Sequence, residues 1–234
     1  MSSLALSRSA LAIARLGRQP YQKVWELQRK LQTDLIAGCG QETLIVCEHA
    51  PVITLGRSGK RDNLLLPEAK LNELGIAVLD TERGGDVTFH GPGQLVAYPI
   101  LDLRFRKRDV NWYIRSLEEV VILTLASFRI EGKRVNGRAG VWIDDQDNPQ
   151  QPQKVACVGV RISRWCTMHG VALNAWDCSR GFSLINPCGY RDIEVTSIEQ
   201  ITGSRPDLIQ VQDRFINCFG EIFCESEVEL AGNF

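Results

Sequence analysis

Apolar positions along this chain switch between helical spacing and short β-branched runs, and the switches mark out its elements. After Pro20, the residues Tyr21, Val24, Gln28, Leu31 and Leu35 recur at helical spacing and Gly38 follows as a stop, which predicts a helix. Ala12 to Leu16, closed by Gly17, reads as the strand before it. Leu44 to Cys47 and Val52 to Leu55 predict two strands around His49-Ala50-Pro51. A short helix begins at Pro67 and ends near Gly75, and strands follow over Ile76 to Asp80 and Leu95 to Ile100. Asp109 has the place of an N-cap for a long helix that carries Trp112, Leu117, Val120, Val121 and Phe128 on one side and ends at Gly132. Ala139 to Ile143 and Val155 to Ile162 predict strands joined by a polar turn, and Thr167 to Ala175 predicts one more. Ser204 as cap and Pro206 in the first turn open a last helix, with Leu208, Val211, Phe215 and Phe219 turned inward.

These elements do not alternate in a regular βαβ rhythm, and no Walker or Rossmann glycine pattern is present. The predicted fold class is α+β: one mixed, mostly antiparallel sheet with three main helices stacked against it. A short extension, 1–11, is expected before a single domain, 12–234.

Composition narrows the function by exclusion. With 27 basic and 28 acidic residues, the chain carries no global field that would draw in nucleic acid or an anionic membrane. The longest apolar run, Val120 to Ala126 broken by Thr124, is too short to span a bilayer. The eight cysteines include no Cys-x-x-Cys pair and no histidine at a zinc-finger offset, so neither a metal nor another cofactor is expected. Reduced thiols in the cytoplasm are the expectation. Arg8, Arg15, Arg18 and Lys23 precede the first acid, Glu26, a faint mark of the mitochondrial matrix as the alternative.

The most distinctive stretch is Arg83-Gly84-Gly85-Asp86-Val87-Thr88-Phe89-His90-Gly91-Pro92-Gly93-Gln94. Glycines serve where backbone must take positive φ or lie close to a ligand, although a plain hairpin with a satisfied histidine uses them too. Downstream come Lys154 to Arg161, a strand opened by a lysine, then His169-Gly170-Val171-Ala172 inside another strand. Cys188 stands apart from the other cysteines because Pro187 and Gly189 flank it in a turn. A turn cysteine is commonly just buried; as a nucleophile it needs a neighbour that favours thiolate, and Lys154 is a candidate.

Together, Arg83 to Gln94, Lys154 to Arg161, His169 to Asn174 and Pro187 to Gly189 resemble the lipoyl(octanoyl) transferase family, over about Ile13 to Phe223. His49-Ala50-Pro51 and Leu55-Gly56-Arg57 add to the likeness, whereas Trp176 and Cys178 depart from it. The resemblance implies a fold shared with biotin and lipoate protein ligases. It implies transfer of an octanoyl group from octanoyl-acyl carrier protein to a lysine of lipoyl domains, those of 2-oxoacid dehydrogenases and glycine cleavage H proteins. It also implies an acyl-thioester on Cys188 and a proton-carrying Lys154. Substrate-binding segments map onto Arg83, Gly84, Gly85, Asp86, Val87, Thr88, Phe89 and His90, onto Cys157, Val158 and Gly159, and onto His169, Gly170, Val171 and Ala172. Two other readings stand beside it: an ATP-dependent lipoate or biotin ligase, and a non-catalytic acyl-binding module. Two basic runs, Arg104, Arg106, Lys107, Arg108 and Arg57, Lys60, Arg61, are either docking sites for an acidic donor or solvated loop charge.

Overall fold

The computed structural model describes residues 10–145, 148, 150–187 and 193–224. Strand β1 (Ala12–Gln19), helix α1 (Tyr21–Ala37) and strand β2 (Thr43–His49) form a crossover in which β1 and β2 pair in parallel. Gly38 closes α1 in the left-handed conformation, with φ 79°. Strand β1 runs past Gly17 through a register shift between Arg15 and Gly17, so the glycine marks a bulge within the strand and not its end.

Strand β3 (Val52–Leu55), helix α2 (Glu68–Glu73), strand β4 (Ala77–Asp80) and strand β5 (Val87–His90) follow, then β6 (Gln94–Ile100). Helix α3 (Val110–Ala126) leads to β7 (Lys133–Val135), β8 (Arg138–Ile143), β9 (Gln153–Ser163) and β10 (Cys166–Asn174). Two short helices, α4 (Ser179–Phe182) and α5 (Ile198–Thr202), precede α6 (Leu208–Phe223). Seven strands form one mixed sheet in the order β1-β2-β6-β10-β9-β8-β7.

The single sheet read from the sequence is corrected to two. Strand β3 leaves β2 and pairs in parallel with β4 and antiparallel with β5, giving a second sheet ordered β4-β3-β5. The cause lies in the link Ala50-Pro51, since a proline has no N–H to continue the ladder of β2. The α+β class holds.

Alternation along the central strands separates two cores. Leu44 and Val46 of β2, Leu95 and Ala97 of β6, and Val171 and Leu173 of β10 face α3 and α6, meeting Leu117, Val121, Phe215 and Phe219. Their neighbours Ile45, Cys47, Val96, Tyr98 and Ala172 face the other way, with Tyr21, Val24 and Trp25 of α1. A third cluster, including Ile53, Leu71, Phe89 and Phe182, lies around the small sheet.

Helix ends show where the sequence reading shifts. Asp109 caps α3, accepting from the Trp112 N–H, but the helix stops at Ala126 and not at Gly132, because Arg129 takes the left-handed turn with φ 61°. Helix α6 is capped by Asp207, whose carboxylate accepts from the Ile209 N–H at 3.0 Å; Ser204 instead donates its N–H to Thr202. None of the described helices is long and apolar enough to cross a membrane.

Candidate active site

The small sheet meets the large one where the segment from Gly84 to Thr88 touches β9. The Gly84 N–H donates to the Val160 carbonyl at 2.8 Å, and the Thr88 hydroxyl donates to the Cys157 sulfur at 3.7 Å. Between the sheets is a cavity of about 490 Å³. Every substrate-segment residue expected from the sequence lines it except Phe89: Arg83 to Thr88, His90, Cys157 to Gly159 and His169 to Ala172. Strand alternation turns Phe89 to the opposite side, against Phe182 at 5.9 Å between ring centroids.

The glycine loop is built largely by Arg83. This residue is buried, and its guanidinium donates to the Thr54 hydroxyl and carbonyl and to the Gly84 and Asp86 carbonyls, which ties β3 to the start of β5. Asp86 accepts from the N–H groups of Val87 and Lys60 and from the Asn63 amide, holding the loop after β3 against the motif. Gly85 has φ 88°, a conformation that side chains with a Cβ rarely adopt.

At one end of the cavity, a cluster of aromatic and imidazole rings is held without charge. The His49 Nδ1–H donates to the Gln19 carbonyl at 3.0 Å, and its Nε2 accepts from the Tyr98 hydroxyl at 2.8 Å. Gln94 donates its amide to Asn174 and Phe89, so its oxygen accepts from the His90 Nδ1–H at 2.7 Å. Tyr21 stacks on His90 with 5.7 Å between centroids. His169 holds φ 59° while donating its backbone N–H to Gln28 of α1, and its buried Nε2 has no hydrogen-bond partner. A strained backbone that is held firmly by its surroundings is a frequent mark of a functional position. Burial pushes His49 down to about 4, and His90 and His169 to about 3, so all three are neutral in ordinary buffers. Among the described residues, no group of three or more His, Cys, Asp or Glu is arranged to hold a metal ion.

The other end is set by Lys154, which is only 3% exposed. Its N–H donates to the Glu194 carbonyl at 2.8 Å and its carbonyl accepts from the Thr196 N–H at 3.0 Å, so the chain returning toward α5 runs alongside β9. Trp142 of β8 sits opposite Lys154 in the strand pairing. Cys188 lies outside the described residues, but Pro187 just before it and Ile193 shortly after it both line the cavity.

Sequence reasoning missed Tyr21, Val96, Tyr98, Arg138 and Trp142, all of which line the same space. The usable signal for Tyr98 was its parity in β6, which puts it on the face of Val96. Tyr21 looked like one more core position of α1. The docking idea also changes: Arg106 is buried in an ion pair with Glu42, and Arg104 pairs with Asp102 at 2.5 Å, so half of that basic run is structural.

Known proteins place these features in context. The family described as "Lipoyl protein ligase A/B catalytic domain" matches residues 20–220. An octanoyltransferase of Cytophaga hutchinsonii is 40% identical over 230 residues, covering 93% of this chain and 94% of its own. One of Syntrophotalea carbinolica is 44% identical over 209 residues, covering 89% and 92%. Among solved structures, the bipartite lipoate protein ligase of Thermoplasma acidophilum superposes with a TM-score of 0.70 at 13% identity, covering 96% of this chain and 88% of that one. A lipoate-protein ligase A bound with ATP gives 0.70 at 12% identity, covering 96% and 90%. The structural likeness shows the fold, and the sequence identities show the closer kinship: the chain belongs to the octanoyltransferases of the lipoyl protein ligase A/B catalytic-domain family.

Proposed function

We propose that this protein carries an octanoyl group from octanoyl-acyl carrier protein to the lysine amine of a lipoyl domain, through a thioester on Cys188. The observation that carries the reading is a buried lysine, Lys154, in a cavity floored by Val96 and Ala172 and edged by Pro187 and Ile193. Aliphatic floor residues suit an alkyl chain, because burying apolar surface is favourable at about 25 cal/mol per Å². Acceptors of this class are lipoyl domains of 2-oxoacid dehydrogenases and glycine cleavage H proteins, and the cytoplasm is the proposed compartment.

In the first step the Cys188 thiolate attacks the carbonyl of the carrier thioester. The carrier sulfur leaves and takes a proton from Lys154. In the second step the acceptor amine attacks the enzyme thioester, Lys154 takes a proton from the nitrogen, and the Cys188 thiolate is released. One thioester replaces another before the amide forms, so no ATP is consumed. Backbone N–H groups of the glycine-rich turns are candidates to donate to the tetrahedral oxyanion.

The test is transfer from octanoyl-carrier protein to a purified lipoyl domain, followed by mass, with and without ATP and free octanoate. Transfer from the carrier alone is expected. A requirement for ATP with free acid would instead favour a ligase, and octanoyl binding without transfer a non-catalytic module.

A further inference from the structure

The wall of β8 beside Lys154 has no role in the reaction as outlined. Trp142 is 1% exposed and lines the cavity, and the Lys154 Nζ lies 5.0 Å from the centroid of its indole ring. Two residues earlier, Gly140 has φ 116°; a Cβ there would come within 2.7 Å of Lys154 Cε and 2.4 Å of the Ala156 carbonyl oxygen. The absence of a side chain at Gly140 therefore leaves the channel through which the lysine stem passes. From behind, Glu118 of α3 fixes this strand by accepting from the Gly140 N–H at 2.9 Å, and its other oxygen accepts from Arg115 and Arg134. The strand is thus anchored to a helix at the point where it touches the lysine.

We propose that Gly140 and Trp142 form a clamp that fixes the Lys154 side chain, which makes Trp142 a positioning residue for acyl transfer. The proposal rests on the reading of Lys154 as the proton carrier. A buried ammonium loses its water, and the electron-rich face of an indole is the best aromatic replacement. Restraining a long side chain also lowers the entropy lost when it reaches a reacting atom. The other titratable or charged groups of these walls are Arg138 on β8, whose guanidinium carbon is 5.8 Å from the same ring, Cys157 further along β9, Glu118 behind Gly140, and Glu194, whose carboxylate accepts from Gln153.

The experiment compares the full-length protein with Trp142→Phe, Trp142→Met, Lys154→Ala and the double variant Trp142→Met/Lys154→Ala. Melting curves, single-turnover octanoyl transfer and the pH profile of Cys188 alkylation are read for each. Trp142→Met is expected to slow transfer about tenfold and to move alkylation to higher pH, with Trp142→Phe recovering much of both. In the Lys154→Ala background the Trp142→Met effect should vanish, as coupled residues require. Trp142 variants with a wild-type profile and rate, or a Trp142→Met loss that persists undiminished without Lys154, would overturn the clamp. Unchanged transfer by Lys154→Ala alone would overturn the reading beneath it.

Discussion

The two ends of the cavity are both buried and both rich in titratable groups, yet they treat charge in opposite ways. Around Tyr98, three imidazoles are held neutral by burial. His49 and His90 meet a carbonyl, a hydroxyl, an amide and each other. His169, with Glu82 4.0 Å from its Nε2 and the Arg83 guanidinium acting against its charge, is still held neutral. Around Trp142, two basic side chains approach one indole ring, a surface that favours positive charge. Burial is what keeps the imidazoles neutral, whereas at the other end an indole face offers a buried cation some compensation for its lost water. The difference suits the ends to different work. On the proposed mechanism, the neutral wall bounds the alkyl chain and keeps the loop in shape, whereas Lys154 is the amine that moves protons.

The sharpest way to break this division is at Lys154. Lys154→Ala is expected to slow both half-reactions by roughly 10²–10⁴-fold, the usual worth of a positioned proton carrier. Lys154→Arg keeps a charge but cannot give up its proton, so it should spare thiol alkylation and still impair aminolysis. Rapid-quench measurement of each half-reaction reads both.

The histidine end should respond to acid. In the unfolded chain its histidines bind protons below about pH 6.5. In the fold they do so only near 3 to 4. Stability from this cluster is thus complete above pH 6.5 and falls as pH drops toward 4. Every tenfold weakening of a histidine's proton affinity on folding corresponds to about 1.4 kcal/mol. Denaturant melts at stepped pH would show the decline begin below 6.5. A flat profile across that window would deny that the cluster is held neutral.

Tyr98→Phe sharpens the same contrast on a smaller scale. It removes the hydroxyl that donates to His49 Nε2, and a buried acceptor left without that donor costs about 1–3 kcal/mol. Melting should register the loss, and transfer should fall far less than with Lys154→Ala.

The smallest effect is expected at the surface. Arg57 and Lys60 flank Ser58, which lines the cavity, so reversing Arg57 to Glu should weaken use of an acidic carrier at low salt and little at high salt. A fold-wide loss of stability would mean that the residue is structural, as Arg106 is.

Local signals in the sequence were legible, and long-range pairings were not. The helix from Tyr21 and the cap at Asp109 stand on their own spacing and chemistry, and the motif residues declare themselves through glycine and histidine in unusual clusters. Phe89 entered with its neighbours because a run of motif residues hides the alternation that separates faces. The second sheet depends on β3 meeting β4 and β5, a pairing that no local pattern encodes once Pro51 ends the first ladder. Arg106 looked like surface charge because its partner Glu42 is 64 residues away. Tyr98 and Trp142 read as ordinary strand aromatics, and only the meeting of two sheets reveals that they border the cavity.

The central claim is that the acyl group rests on Cys188 while Lys154 serves it. The cavity itself supplies a rival thiol, Cys157. Peptide mapping of the protein quenched during turnover with octanoyl-carrier protein tests the claim directly. One octanoyl group on the peptide containing Cys188, lost in Cys188→Ala and kept in Cys157→Ala, is the predicted result; an acyl group on Cys157, or none on any cysteine while transfer proceeds, would contradict it.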